Sequence, residues 1–125
     1  MRLALITSVW ILWAAQAVAH HAEAVYDRAQ TLSVSGTVKI FLWANPHTLI
    51  YLEVTDSNGR TDVDVFEGGS VAVMQRSGWA RDSLKVGDKL TIRYHPRRDT
   101  RHGGQLLTAA RMDGTTLGWR PAMEP

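Results

Sequence analysis

The chain has 125 residues, a formal charge of +2 at pH 7, five histidines and no cysteine. A near-neutral domain is a poor general binder of nucleic acid, because contacts to phosphates need clustered Lys and Arg. The lack of cysteine excludes disulfides, thiol nucleophiles and cysteine-type zinc sites, so stability must come from the core or from a metal held by other residues.

The N-terminal segment, residues 1–19, is predicted to be a secretory signal peptide. Arg2 supplies a positive start, residues 3–13 are almost wholly apolar, and Ala17-Val18-Ala19 forms an A-x-A-like cleavage site. The apolar run is shorter than the about 20 residues that a transmembrane helix needs. We therefore expect a periplasmic or secreted protein, with an uncleaved membrane anchor as the alternative.

Cleavage after Ala19 would make His20 the first residue of the mature chain. That residue would then carry a free amine and an imidazole, with His21 directly beside it. Residues 20–31 are mixed in character and are predicted to form an N-terminal arm.

Apolar residues at alternate positions predict a long first strand over residues 32–42, with Gly36 as a candidate bend or bulge. Asn45-Pro46 ends this strand. A second strand is predicted over residues 49–54. The apolar series of the first strand consists of Leu32, Val34, Val38, Ile40 and Leu42.

Asn58-Gly59 predicts a hairpin turn, because both residues tolerate positive φ angles. The third strand is predicted over residues 61–67. Its alternation places Val63 and Val65 on one side of the strand. Asp62 and Asp64 then lie on the other side, which is predicted to face solvent.

Ser70 is a candidate N-cap for a short helix that ends by Gly78. Trp79 is expected to fold back onto the core. A fourth strand is predicted over residues 89–95, a polar loop over 96–104 and a last strand over 105–112. The inner row of the fourth strand is predicted to be Leu90, Ile92 and Tyr94.

Three strands, a short helix and two strands is the order of a five-stranded OB-type barrel, an all-β fold with one short helix. We place this barrel at residues 32–119 and a C-terminal tail at 120–125, with Trp119 fastening the tail to the barrel. A small open β-sandwich is the alternative.

Six short segments carry a resemblance that spans nearly the whole mature chain. They are His20-His21, Tyr26-Asp27, Gly36-Thr37-Val38, Trp43-Ala44-Asn45-Pro46-His47, Phe66-Glu67 with the following glycines, and Gly78-Trp79-Ala80-Arg81-Asp82-Ser83-Leu84-Lys85 with Gly87-Asp88. They resemble a family of small exported bacterial proteins of unknown function, DUF6152. The resemblance implies export and a small β-barrel, and it implies no established activity. The chain departs from the family pattern at Ala22 and Glu23, where Ser and an aromatic residue are expected.

Four residues form the candidate metal site: His20, His21, His47 and Glu67. Imidazole nitrogen suits copper, nickel and zinc, and copper(II) favours nitrogen-rich planar sites. An N-terminal histidine chelates through its amine and ring together, which resembles the histidine-brace sites of some exported copper proteins. Copper is therefore the expected ion, and Glu67 would add an oxygen ligand or orient a ring. The plainer interpretation is a mobile histidine arm, a turn-capping His47 and a Glu67 paired with an arginine.

The second candidate site is a basic cluster on and after the fourth predicted strand. Arginine matches the geometry of carboxylates and phosphates, and this loop of an OB barrel borders the usual ligand face. The expected ligand is an anionic glycan, a lipid head group or an acidic protein partner in the cell envelope. The alternative is a solvated loop whose charges serve solubility. The cluster consists of Arg93, His95, Arg97, Arg98, Arg101 and His102.

No catalytic arrangement is evident in the sequence. Ser70 and Ser83 lack a nucleophile motif and suit caps or turns. Gly68-Gly69 lacks the spacing and the lysine of a phosphate-binding loop. The sequence therefore favours a binding domain over an enzyme.

Overall fold

The structure, a computed structural model, describes residues 25–119. Within that range no helix is both long and apolar enough to cross a membrane. The His20-His21 pair, the signal-peptide segment 1–19 and the tail 120–125 lie outside the described residues.

Six strands and one short helix follow each other along the described chain. The predicted strands and helix all form, each within two residues of the predicted bounds, and one further strand follows them. The elements are β1 (Leu32–Leu42), β2 (Leu49–Thr55), β3 (Thr61–Glu67), α1 (Val71–Arg76), β4 (Lys89–Pro96), β5 (Gly103–Arg111) and β6 (Thr116–Gly118).

The first five strands close into a barrel. β1 pairs antiparallel with both β2 and β4, and β2 and β4 pair in turn with β3 and β5. A parallel pairing of β3 with β5 closes the ring. This is the connectivity of the OB fold, so the predicted five-stranded barrel with one short helix is confirmed.

Alternate residues of the five strands fill the barrel with apolar side chains. Phe66 and Tyr94 meet edge to face with ring centroids 4.9 Å apart. α1 covers one end of the barrel through Met74, which is fully buried. Trp79 folds back beside it, 2% exposed, as predicted. The other core residues include Val38, Trp43, Ile50, Leu52, Leu84, Leu90, Ile92, Leu106 and Ala109.

The apolar series of β1 changes facing in its second half. The register against β2 shifts between Val38 and Ile40, which inserts a bulge at Lys39. Because one extra residue reverses the facing of all that follow, Ile40 and Leu42 are 50% and 42% exposed. Gly36 is not the bulge; a Cβ there would collide with the Glu53 carbonyl oxygen, so it marks close contact between β1 and β2.

The two sides of β3 are also opposite to the prediction. Asp64 lies on the same face as the buried Phe66 and is only 7% exposed, whereas Val63 faces outward and is 44% exposed. Two outward valines therefore line the outer surface of the barrel, and a carboxylate lies at its interior.

β6 is the element that the sequence did not predict. It pairs with β5 from Ala110 back to Thr108, and its Gly118 carbonyl accepts a hydrogen bond from the Trp79 indole at 3.1 Å. Trp119 follows directly and packs against the core cluster and Gly69. The end of the barrel is thereby fastened to the segment after α1.

Candidate functional site

A groove of about 410 Å³ crosses the outer face of β2 and β3. The segment before β1 and the loop between β4 and β5, residues 97–102, border it, and the two meet at Tyr26 and Arg97. Its floor is apolar and its banks carry charge. The lining residues are Tyr26, Leu49, Asp62, Val63, Val65, Glu67, Arg97, Arg101 and His102.

Three polar side chains meet at the end of β3 beside this groove. The Tyr26 hydroxyl donates to Glu67 Oε2 at 2.7 Å, and His47 Nδ1 lies 3.4 Å from Glu67 Oε1. His47 reaches this position from the turn at Asn45-Pro46, whose peptide bond is cis. One oxygen of the Glu67 carboxylate thus accepts a hydrogen bond from a phenol, and the other lies within ion-pair distance of an imidazole.

The segment that leads to Tyr26 is anchored along the end of β4. Arg98 N–H donates to the Val25 carbonyl at 2.9 Å, and Asp27 N–H donates to the Pro96 carbonyl at 2.8 Å. Arg98 Nε donates to the Tyr26 carbonyl at 3.3 Å. These backbone contacts fix the point at which the N-terminal arm meets the barrel.

Tyr26 is held as a neutral donor. Its side chain is 5% exposed, and the Arg97 guanidinium lies 5.6 Å from its ring centroid. Burial, followed by the hydrogen bond to Glu67 and the charge of Glu67, raises the pKa of Tyr26 far above its ordinary value. The phenol proton therefore stays on Tyr26 at physiological pH.

Asp99 organises the loop between β4 and β5. Arg97 and Arg101 each direct two N–H groups at its carboxylate, over distances of 2.7 to 3.2 Å. Hydrogen bonds from Arg97 and Arg101 lower the pKa of Asp99 far below its ordinary value. One carboxylate therefore offsets part of the basic charge predicted for this loop.

The structure brings three of the six predicted basic residues to the groove: Arg97, Arg101 and His102. Arg98 instead lies 3.7 Å from Asp27, and His95 Nδ1 lies 2.7 Å from the Gln30 carbonyl. Arg93 is an exposed residue of β4, paired across the sheet with Ser33 and Thr108. The six do not form one continuous basic face.

A second histidine–carboxylate pair lies near the start of β3. His102 Nδ1 is 3.4 Å from Asp64 Oδ1 and 3.8 Å from Asp62 Oδ2. Asp64 Oδ1 is buried, and within residues 25–119 it has this ion-pair contact but no hydrogen bond. Burial raises the pKa of Asp64, and the charge of His102 opposes that rise.

Two of the four predicted metal ligands, His47 and Glu67, are neighbours in the structure. The other two, His20 and His21, lie outside the described residues. Among residues 25–119, no three His, Cys, Asp or Glu side chains are grouped so as to hold a metal ion. The described part of the chain therefore offers half of the predicted site.

Two residues of these clusters were missed from the sequence. Tyr26 contacts Glu67 across 41 positions of sequence, so no local pattern announces the pair. Asp64 was assigned to solvent because the alternation of β3 was interpreted in the wrong sense. The one available signal was Phe66. It lies two positions after Asp64, so both side chains point to the same face of the strand, and a large apolar residue marks that face as the inner one.

Comparison with known proteins identifies the family of the chain and assigns no activity, ligand or partner. The chain matches the family model of DUF6152, a family of unknown function, over residues 9–106, and it belongs to that family. The resemblance inferred from the sequence is thereby confirmed. No curated protein and no solved structure matches the chain.

Proposed function

We propose that the mature protein, beginning at His20, binds one copper(II) ion at the end of β3 where His47 and Glu67 meet. The observation that carries the proposal is the 3.4 Å contact between His47 Nδ1 and Glu67 Oε1, beside the anchored segment that leads to His20. Two predicted ligands far apart in sequence are adjacent in space, next to the arm that carries the other two.

The contact gives each of the two residues a separate role. A metal-binding histidine commonly donates its second ring N–H to a carboxylate, which fixes the tautomer and the ring orientation. With Nδ1 of His47 facing Glu67, Nε2 is the nitrogen left to bind the ion. Glu67 has its other oxygen engaged by Tyr26, so it suits the orienting role better than the ligand role.

The N-terminal arm joins the barrel beside the proposed site. Tyr26 contacts Glu67, and only four residues, 21–24, lie between Val25 and His20, so the extended arm spans at most about 17 Å. The His47 side chain is 52% exposed and accessible to an approaching ligand. Reach and access therefore support the proposed site.

Copper(II) is the ion that this donor set favours. A free terminal amine has a pKa near 8, so a metal displaces its proton readily at neutral pH. Amine and imidazole nitrogens together match the nitrogen-rich coordination of copper(II), which also leads the divalent affinity order.

Isothermal titration with copper(II) on the protein cut after Ala19 tests the proposal. Acetylation of the His20 α-amine should weaken binding by at least about 100-fold, because the chelate through the amine is lost. His47→Ala should weaken it by at least about 10-fold, and Glu67→Gln by about 10-fold, as expected for an orienting carboxylate.

His102→Ala is the matched control, since His102 is also exposed and also contacts a carboxylate at 3.4 Å. It should leave copper affinity unchanged. Equal affinity with and without the acetyl group on His20 would show that the terminal amine takes no part and would refute the site.

A second candidate function is binding of an anionic ligand or an acidic envelope protein at the loop between β4 and β5. The observation in its favour is Arg101, which lines the groove with a side chain 71% exposed. Binding to anionic vesicles and to an acidic polysaccharide should then fall with rising salt and fall further in Arg101→Gln. Binding that ignores salt would refute it.

A further inference from the structure

The seam between β3 and β5, where the barrel closes, begins beside a histidine. The parallel pairing of the seam starts with Val65 opposite Gly103 and runs to Glu67 opposite Gln105. His102 is the residue directly before this pairing, at the end of the loop between β4 and β5. The contact that holds His102 against β3 therefore acts where the seam would first open.

Two aspartates of β3 face the His102 imidazole. Its Nδ1 lies 3.4 Å from Asp64 Oδ1 and 3.8 Å from Asp62 Oδ2. The Asp62 side chain is 73% exposed, so water screens its charge, whereas the Asp64 side chain is 10% exposed. The interaction with Asp64 therefore dominates, because a charge with little water around it acts more strongly on its neighbour.

The strength of this contact depends on the charge of the imidazole. Histidine side chains ordinarily change charge between about pH 5 and pH 8. A charged imidazole attracts both aspartates, whereas a neutral one donates to at most one of two carboxylates that repel each other. The attraction is therefore complete in mildly acidic solution and declines as the pH rises and the proton leaves. At still lower pH it is lost again as the aspartates take up protons, since burial raises the pKa of Asp64.

Other charged groups lie on the inner side of His102. Asp56 and Arg60, in the turn between β2 and β3, share a cavity of about 480 Å³ with His102. Asp56 Oδ1 accepts hydrogen bonds from two backbone N–H groups of its own turn. Tyr94 of β4 stays neutral, because burial and then the charge of Asp64 raise its pKa. The residues that line this cavity include no second histidine, so His102 supplies its change of charge near neutral pH.

The charged groups on the outer side of His102 are paired with one another. Arg97 and Arg101 both bind the carboxylate of Asp99, which offsets part of their repulsion of a charged imidazole. The carboxylate at the other end of β3 accepts a hydrogen bond from a tyrosine that keeps its proton. These groups line the groove together with His102 and Asp62, and they are Arg97, Arg101, Glu67 and Tyr26.

We propose that His102, with Asp62 and Asp64, forms a pH-sensitive clasp that fastens the loop between β4 and β5 to β3 when the imidazole is charged. The clasp loosens when the imidazole is neutral. It sets how firmly the seam is closed at its first paired residues, and how firmly the neighbouring Arg101 is held beside the groove. The clasp is built into the barrel and rests on neither proposed function.

Hydrogen exchange of the ¹⁵N-labelled protein at about pH 5.5 and about pH 8 tests the clasp. Protection factors correct for the pH dependence of exchange from the unfolded chain. Amides of the seam, at residues 65–66 and 103–104, should be about 5-fold less protected at the higher pH, the size expected of an ion pair with an exposed partner. Amides of residues 90–92, where β4 pairs with β1, are the internal reference and should change by less than about 2-fold.

Two substitutions of His102 remove the change of charge in opposite ways. His102→Asn has no charge at either pH and should give the lower seam protection at both. His102→Lys is charged at both pH values and should give the higher seam protection at both. His47→Asn is the matched control, because His47 is also exposed and lies 3.4 Å from a carboxylate. It should leave the pH dependence of the seam as in the unaltered protein.

The proposal is overturned if seam protection in the unaltered protein is the same at both pH values. It is equally overturned if either His102 variant keeps the full pH dependence, because another group would then be the one that titrates. Loss of the pH dependence in His47→Asn would assign the change to the Glu67 end of β3 and would also count against the clasp.

Discussion

Two histidine–carboxylate pairs lie toward the two ends of β3, and they differ in everything except distance. In both, an imidazole Nδ1 lies 3.4 Å from a carboxylate oxygen. Glu67 is 34% exposed and accepts a hydrogen bond from Tyr26, whereas Asp64 is 10% exposed in its side chain and its Oδ1 accepts none from residues 25–119.

The difference shows that surroundings, and not the pair itself, decide what each site can do. A carboxylate that accepts a hydrogen bond from a buried tyrosine is fixed in place and can orient the imidazole beside it toward a third group. A buried carboxylate whose charge is met only by an exposed imidazole keeps a desolvation cost that a proton relieves. The Glu67 end is therefore suited to holding a ligand through His47, and the Asp64 end to receiving a charge directly.

The largest loss of stability is expected from a substitution at the junction of β3 and β5, which holds His102 beside Asp64. Gly103 follows His102 and begins β5 with φ of +95°, and a Cβ there would collide with the Val65 carbonyl. Gly103→Ala should lower the free energy of unfolding by more than about 3 kcal/mol, because strain and collision act together where β5 closes onto β3. Urea denaturation measures the change.

Gly59→Ala is the control for backbone strain alone, since Gly59 has φ of +79° and its Cβ would meet nothing within 4 Å. It should lower stability by about 1 kcal/mol. A similar loss in both variants would show that the β3–β5 junction tolerates separation and does not hold His102 against Asp64.

The second-largest loss of stability is expected from removing the Tyr26 hydroxyl, whose hydrogen bond distinguishes Glu67 from Asp64. Tyr26→Phe deletes the donor to Glu67 Oε2 and should lower the free energy of unfolding by about 1.5 kcal/mol, as expected for a hydrogen bond to a charged group. Chemical denaturation measures the loss. Tyr51→Phe, an outward-facing tyrosine of β2, is the control and should change stability by less than about 0.5 kcal/mol. Equal stability of Tyr26→Phe and the unaltered protein would mean that Glu67 is no better satisfied than Asp64.

The sequence was sufficient for the order of the barrel and insufficient for the facing of two strands. Alternation locates β1 and β3 because period two is a local property. It does not say which set of residues faces inward, since Val63 and Val65 are the more apolar set of β3 and still face out. The bulge at Lys39 is equally hidden, because it is defined by pairing with β2 and not by any residue of β1.

The same limit applies to the sites. His47 and Glu67 were predicted as members of one site from their positions at a turn and a strand end, and the barrel places them together. Tyr26 joins the cluster only through its contact with Glu67, 41 positions away in the sequence. The positive charge of the basic loop is partly offset by Asp99, which accepts side-chain hydrogen bonds from Arg97 and Arg101. Long-range contacts of this kind follow from the closed barrel and are absent from any local pattern.

The smallest change in stability is expected from a substitution that tests whether burying the Asp64 carboxylate costs free energy. Asp64→Asn removes a buried charge and should raise the free energy of unfolding at pH 7 by on the order of 1 kcal/mol.

The pKa of Asp64 is raised in the folded state, so its protonated form is the one that the fold favours. Stability from this group is therefore complete below its unfolded pKa of 3.8 and declines as pH rises through the higher folded value. The advantage of the variant should accordingly be small at pH 3.5 and full at pH 7, with other groups cancelling in the difference between the two proteins. A variant less stable than the unaltered protein at pH 7 would show instead that His102 compensates the charge, which would make the two ends of β3 equivalent.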